Sequence, residues 1–146
     1  MKKTIAALAM FTVISGPLMA GETPAPDSAA VYFVNLEDGA TVSGPVKVVF
    51  GLSGMGVAPA GTEADNTGHH HLLINRPPFG DGPEDAEMLE YGIYADDNHV
   101  HFGGGQTETT IELPPGEHTL QLLLGDLNHA PHKEPVMSDV ISITVE

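Results

Sequence analysis

The chain reads as an all-β protein, an antiparallel β-sandwich, on three observations. Short apolar stretches recur between turn signals at residues 30–35, 46–52, 69–75, 107–113, 118–124 and 140–145. Several of them alternate, as in VISITV, where Ile141, Ile143 and Val145 share one face, and most are rich in Val, Ile and Thr. Helical periodicity is nearly absent; only PEDAEMLEY at 83–91, with acids at its start, predicts a helical turn or two. Seventeen glycines and twelve prolines cut the remainder into six to eight short strands.

The elements follow in chain order. Residues 1–20, MKKTIAALAMFTVISGPLMA, set Lys2 and Lys3 before an apolar run and a Gly16-Pro17 break, which predicts a secretory signal peptide cut between Ala20 and Gly21. The apolar run is too short for a permanent membrane anchor, so a soluble, exported, periplasmic protein is expected. Residues 21–29, GETPAPDSA, read as a flexible leader, and residues 30–146 as a single β-sandwich domain. The stretch NLEDGATVSGPVKVVFGLSG (35–54) resembles the opening of many bacterial immunoglobulin-like domains, and LPPGEHTLQLLLGD (113–126) resembles their penultimate strand. An immunoglobulin-like sandwich is therefore expected, with a cupredoxin-like one as the alternative. Residues 56–68 and 76–98 become long excursions, where sites are commonly built.

Charge and the absent cysteine narrow the function classes. Once the signal peptide is gone, three basic residues (Lys47, Arg76, Lys133) stand against twenty carboxylates, a net charge of −17. Nucleic acid and anionic membranes need clustered Lys and Arg, so neither is an expected partner. Cations, and a basic periplasmic protein, suit such a field. With no cysteine there is no disulfide, thiolate ligand or lipid-modified cysteine. Any metal must be held by nitrogen, oxygen or thioether.

The eight histidines fall in three groups: His69, His70 and His71; His99 and His101; then His118, His129 and His132. Side chains at i and i+2 of a strand share a face, so His69 with His71, and His99 with His101, can each present two imidazoles to one ion. His70 must face the other way with Leu72 and Ile74, as an interior histidine. His118, two residues past the Pro-Gly turn, suits a corner brace better than a ligand. His129 and His132, in a loop beside Asp126 and ahead of Met137, offer a third wall. Imidazole suits copper and zinc, and exported cysteine-free copper proteins use His with Met, so a copper ion is the expected cofactor and zinc the alternative. The expected ligands are His69, His71, His101 and His129, with His99, His118, Asp126, His132 and Met137 as weaker ones. A competing reading makes the histidines charged internal counter-ions with raised pKa values.

Other motifs carry less. Gly103, Gly104 and Gly105 lead into a strand rather than a helix and have no basic help, so they predict close packing beside His101 rather than a phosphate loop. The acids at 81–85 and 96–97 lack calcium-loop spacing. Nothing marks Ser53 or Ser138 as a nucleophile.

GHHHLLIN (68–75), HFGGGQTET (101–109), LPPGEHTLQLLLGD and NHAPH (128–132) together resemble the family known as domain of unknown function 4399, from about Val31 to the C-terminus. The resemblance implies a small periplasmic protein with hallmark residues His69, His71, His101, His118, Asp126 and His129; it implies no reaction. The function expected is thus periplasmic metal binding, for storage, delivery or protection. The alternatives are a non-metal interaction module presenting residues 76–98, and a metal-dependent hydrolase with Glu63 or Asp65 as base.

Overall fold

The computed structural model describes residues 21–146; the signal peptide expected over 1–20 lies outside them. The described chain is an antiparallel β-sandwich. Strands β1 (Ala30–Phe33), β3 (Val46–Ser53) and β7 (Glu108–Ile111) form a three-stranded sheet with β3 in the middle. The second sheet has the order β2 (Ala40–Val42), β9 (Ile141–Val145), β8 (Gly116–Gly125), β5 (Thr67–Ile74), β4 (Gly56–Val57), with β6 (His99–His101) also paired to β5. Two pairings, β2 with β9 and β4 with β5, are parallel. The six long strands coincide with the six apolar stretches. The short β2, β4 and β6 carry too few residues to show a period.

Alternation decides which side chains fill the space between the sheets. Val46, Val48 and Phe50 from β3 meet Leu72 and Ile74 from β5, Leu120, Leu122 and Leu124 from β8, and Ile141, Ile143 and Val145 from β9 in one buried cluster. The odd-numbered residues of β5 and β8 consequently face outward. That face is not left wet, because Leu73 and Leu123 pack with Phe79, Met88 and Ile93 in a second, smaller core. Its roof is residues 76–98, including the helix α1 (Asp85–Tyr91) whose Met88 is fully buried. Arg76 ties the two ends of this roof together, with Glu84 at 2.8 Å and Asp96 at 3.7 Å.

Residues 21–29 form no strand, but they are fastened rather than loose: the Thr23 hydroxyl donates to Asp126 at 2.5 Å, the Lys133 N–H donates to the Thr23 carbonyl at 2.8 Å, and Ala25 packs on the core. Thr23 thus meets partners about a hundred residues away in the chain.

His118 sits on the even, inward face of β8 and braces the sandwich corner. Its Nε2–H donates to the Pro114 carbonyl at 2.8 Å, and its Nδ1 accepts from the Asn75 amide at 2.9 Å. Asn75, with a left-handed φ of 54°, also accepts the Thr119 N–H through its side-chain oxygen. Asn75→Ala removes both bonds and leaves a buried imidazole nitrogen dry, so it should cost about 2 kcal/mol. A urea titration with unchanged slope and a lowered midpoint would show it; an unmoved midpoint would refute it.

Candidate metal centre

The outward face of β5 bears His69, His71 and Leu73. Register places the other groups around them: His101 lies directly across from His71 on β6, His99 across from Leu73, and Gly125 of β8 across from His69. Directly opposed residues on antiparallel strands bring their side chains together. The fourth imidazole arrives from the loop after β8. Asp126 builds that loop, its Oδ1 accepting the N–H groups of Asn128 and Ala130 at 2.8 and 2.9 Å. His129 adopts a left-handed φ of 64°, and its carbonyl accepts the Ile93 N–H at 2.5 Å from the roof. A histidine held in that sparse region is the kind of local strain that collects at functional positions.

The rings converge. One nitrogen from each of His69, His71 and His101 lies within 4.8 Å of the other two. The three ring centroids are each 4.9 Å apart, and His129 adds spacings of 5.2 Å to His69 and 4.7 Å to His101. Imidazoles bound to one ion at about 2.0–2.1 Å would have centroids roughly 5.2–5.5 Å apart. The Nε2 atoms of His69 and His71 are 3.0 Å apart, a little under the edge of about 3.3 Å that such bonds give a tetrahedron. Small ring rotations therefore suffice to admit an ion.

Two glycines make the room. A Cβ on Gly125 would stand 2.6 Å from His71 Nε2 and 3.3 Å from His69 Nε2, and one on Gly103 would collide with His101 Cε1. Of the glycine run, Gly103 thus packs against His101. Gly125 carries no such signal in the sequence, since only register brings it opposite His69.

Burial holds the rings neutral. His69 is pushed down to about 4, first by burial and then by His101 and His129. His99 is pushed to about 4, by burial and then by Arg76, and His71 lower still, by burial and four neighbouring histidines. His70 and His101 shift down too, both mainly by burial. For all five the shift runs opposite to the raised values that a role as charged counter-ions requires, because the interior costs the protonated form more than nearby acids return. Neutral imidazole is the form that ligates metal. Among the described residues, His69 Nδ1, His71 Nδ1, His101 Nε2, His129 Nδ1 and both nitrogens of His99 are buried without hydrogen-bond partners. Each such atom costs about 1–3 kcal/mol.

Residues 48–146 match the family described as Domain of unknown function (DUF4399). The chain belongs to this family. Comparison with curated proteins and with solved structures returned no match.

Within this DUF4399 fold the histidines separate clearly. His69, His71, His101 and His129 share one cluster, with His69 and His71 fully buried and His101 and His129 partly exposed at its mouth. His99 adjoins it through His71, ring centroids 5.3 Å apart. His70 points into the sandwich, its ring 5.0 Å from Phe50 and its Nδ1 3.3 Å from the Gln106 carbonyl. Four of the weaker ligand candidates have other surroundings. His118 faces inward with both nitrogens already bonded. Asp126 spends both carboxylate oxygens on Thr23, Asn128 and Ala130, and acts on the site by shaping the loop and by its charge beside His69. His132 is fully buried, and among the described residues neither of its ring nitrogens has a hydrogen-bond partner. Met137 is 45% exposed and lines a groove with Val31, Tyr32, Leu36 and Ile141 instead.

Proposed function

We propose that this protein binds one transition-metal ion in the periplasm, copper in preference to zinc, for storage, delivery or protection. The convergence of three neutral imidazoles, from His69, His71 and His101, carries this reading. His129 supplies a fourth from the mouth. The donor set is all nitrogen, since Met137 lies elsewhere, and nitrogen sites follow the order in which Cu(II) exceeds Zn(II). Export rests on the signal-peptide pattern of residues 1–20. Among the described residues no helix is long and apolar enough to cross a membrane. The acidic surface raises the local cation concentration and suits a basic partner protein. Residues 76–98 lie beside the cluster, packing Phe79, Met88 and Ile93 onto the outer sheet face and giving the Ile93 N–H to the His129 carbonyl.

Stoichiometry tests the proposal. Protein prepared without a polyhistidine tag and stripped of metal is titrated with Cu(II), Cu(I) and Zn(II). About one ion per chain should bind, most tightly Cu(II), and the His69→Ala/His71→Ala pair should abolish binding. Unchanged binding in the double variant would remove it.

A further inference from the structure

A histidine that ligates metal through one nitrogen almost always donates its other ring N–H to an acceptor, and that bond sets the tautomer. His71, the most enclosed of the four, has a buried Nδ1 without a partner. Where this atom points follows from Gly125. A Cβ there would meet His71 at Nε2 and Cδ2, at 2.6 and 3.1 Å, so that edge of the ring faces β8. The Nδ1 edge is turned the opposite way, toward β6 on the other side of β5.

The ring on that side, beyond the ligand His101, is His99. It is fully buried, neither of its nitrogens has a partner among the described residues, and its centroid lies 5.3 Å from that of His71. Two imidazoles joined by a nitrogen-to-nitrogen hydrogen bond of about 2.9 Å have centroids about 5.2 Å apart. The spacing already fits; a turn of the rings, now at 72° to one another, closes the bond. His99 also lies outside the three residues whose nitrogens converge within 4.8 Å.

We infer that His99 is the positioning residue of the metal centre: it accepts the Nδ1–H of His71 and so leaves the His71 Nε2 lone pair free for the ion. This rests on the metal-binding reading above. A neutral imidazole offers one acceptor and one donor, which a leucine of similar bulk lacks and a glutamine side chain retains.

The experiment compares wild type, His99→Leu and His99→Gln. Cu(II) affinity should fall about 10–100-fold in His99→Leu at unchanged stoichiometry, and recover most of that loss in His99→Gln. The Cu(II) EPR parameters should shift in His99→Leu and return toward wild type in His99→Gln. Nitrogen-15 NMR of the metal-free chain should show His71 protonated at Nδ1 in wild type and a mixture of tautomers in His99→Leu. Wild-type affinity in His99→Leu overturns the inference while leaving metal binding intact; so does a second ion bound by wild type and lost in the variant, which would make His99 a ligand. If wild type binds no ion the metal reading falls, and the tautomer of His71 in the metal-free chain still decides the role of His99.

Discussion

Metal-free protein taken from pH 8 to pH 4 is expected to lose folding stability, with the loss concentrated between about pH 6.5 and 4. In the unfolded chain His69 and His99 take up protons near 6.5; in the fold, burial holds both down to about 4. Between those values the unfolded state binds more protons, so stability rises with pH there. The contribution is fully present above pH 6.5 and is lost as pH falls through 4. Each of the two residues contributes on the order of 1–3 kcal/mol, less than the full 1.36 kcal/mol per pKa unit because solvent screens part of the effect, and His71 adds in the same direction. Small domains have only about 5–15 kcal/mol in total. Urea titrations at pH 8, 6 and 4.5 measure the effect, and the His69→Leu/His99→Leu pair should flatten the profile. A midpoint that stays level between pH 7 and 5 in wild type would show that the buried imidazoles are not held neutral.

Gly125→Ala should disable the centre while leaving the sandwich folded. The added methyl would sit 2.6 Å from His71 Nε2 and 3.3 Å from His69 Nε2, inside the space where an ion would lie. The rings have little freedom to retreat, since His69 and His71 are wholly enclosed. Overpacking of this kind costs about 1–3 kcal/mol, and a ligand displaced by even 1 Å leaves bonding distance. The expected result is a loss of Cu(II) affinity of at least about 100-fold, from roughly 3 kcal/mol of misplaced ligand, with the far-ultraviolet spectrum unchanged. Gly56→Ala is the control, since its Cβ would meet only the Thr67 methyl at 3.5 Å. Equal affinity in Gly125→Ala and wild type would mean that the ion does not sit between His69 and His71.

Much of the fold was legible because strands announce themselves through alternation. The six long strands each bury one face or two, and Ile141, Ile143 and Val145 on one side of β9 state the period without ambiguity. The pairing of His69 with His71, and the opposite course of His70, follow from the same period of two. The flanking strands β2 and β4, with three residues and two, have no room for a pattern, and β6 was visible only as a pair of histidines. Residue type alone could not rank the weaker ligands. His118, His132, Asp126 and Met137 all carry suitable atoms, and they differ only in which face they occupy and what already bonds them.

By itself the sequence determined the all-β class, the acidic surface, the absence of sulfur ligands other than methionine, and two imidazoles on one side of one strand. Those are local or compositional properties, set within a few residues of chain. Tertiary structure decided the rest: that His101 stands across from His71, that a left-handed His129 closes the mouth, that Gly125 leaves space for the rings, and that the outer sheet face is roofed and dry. Each of those depends on register between strands tens of residues apart, and a shift of one residue would send every histidine of β5 to the other face.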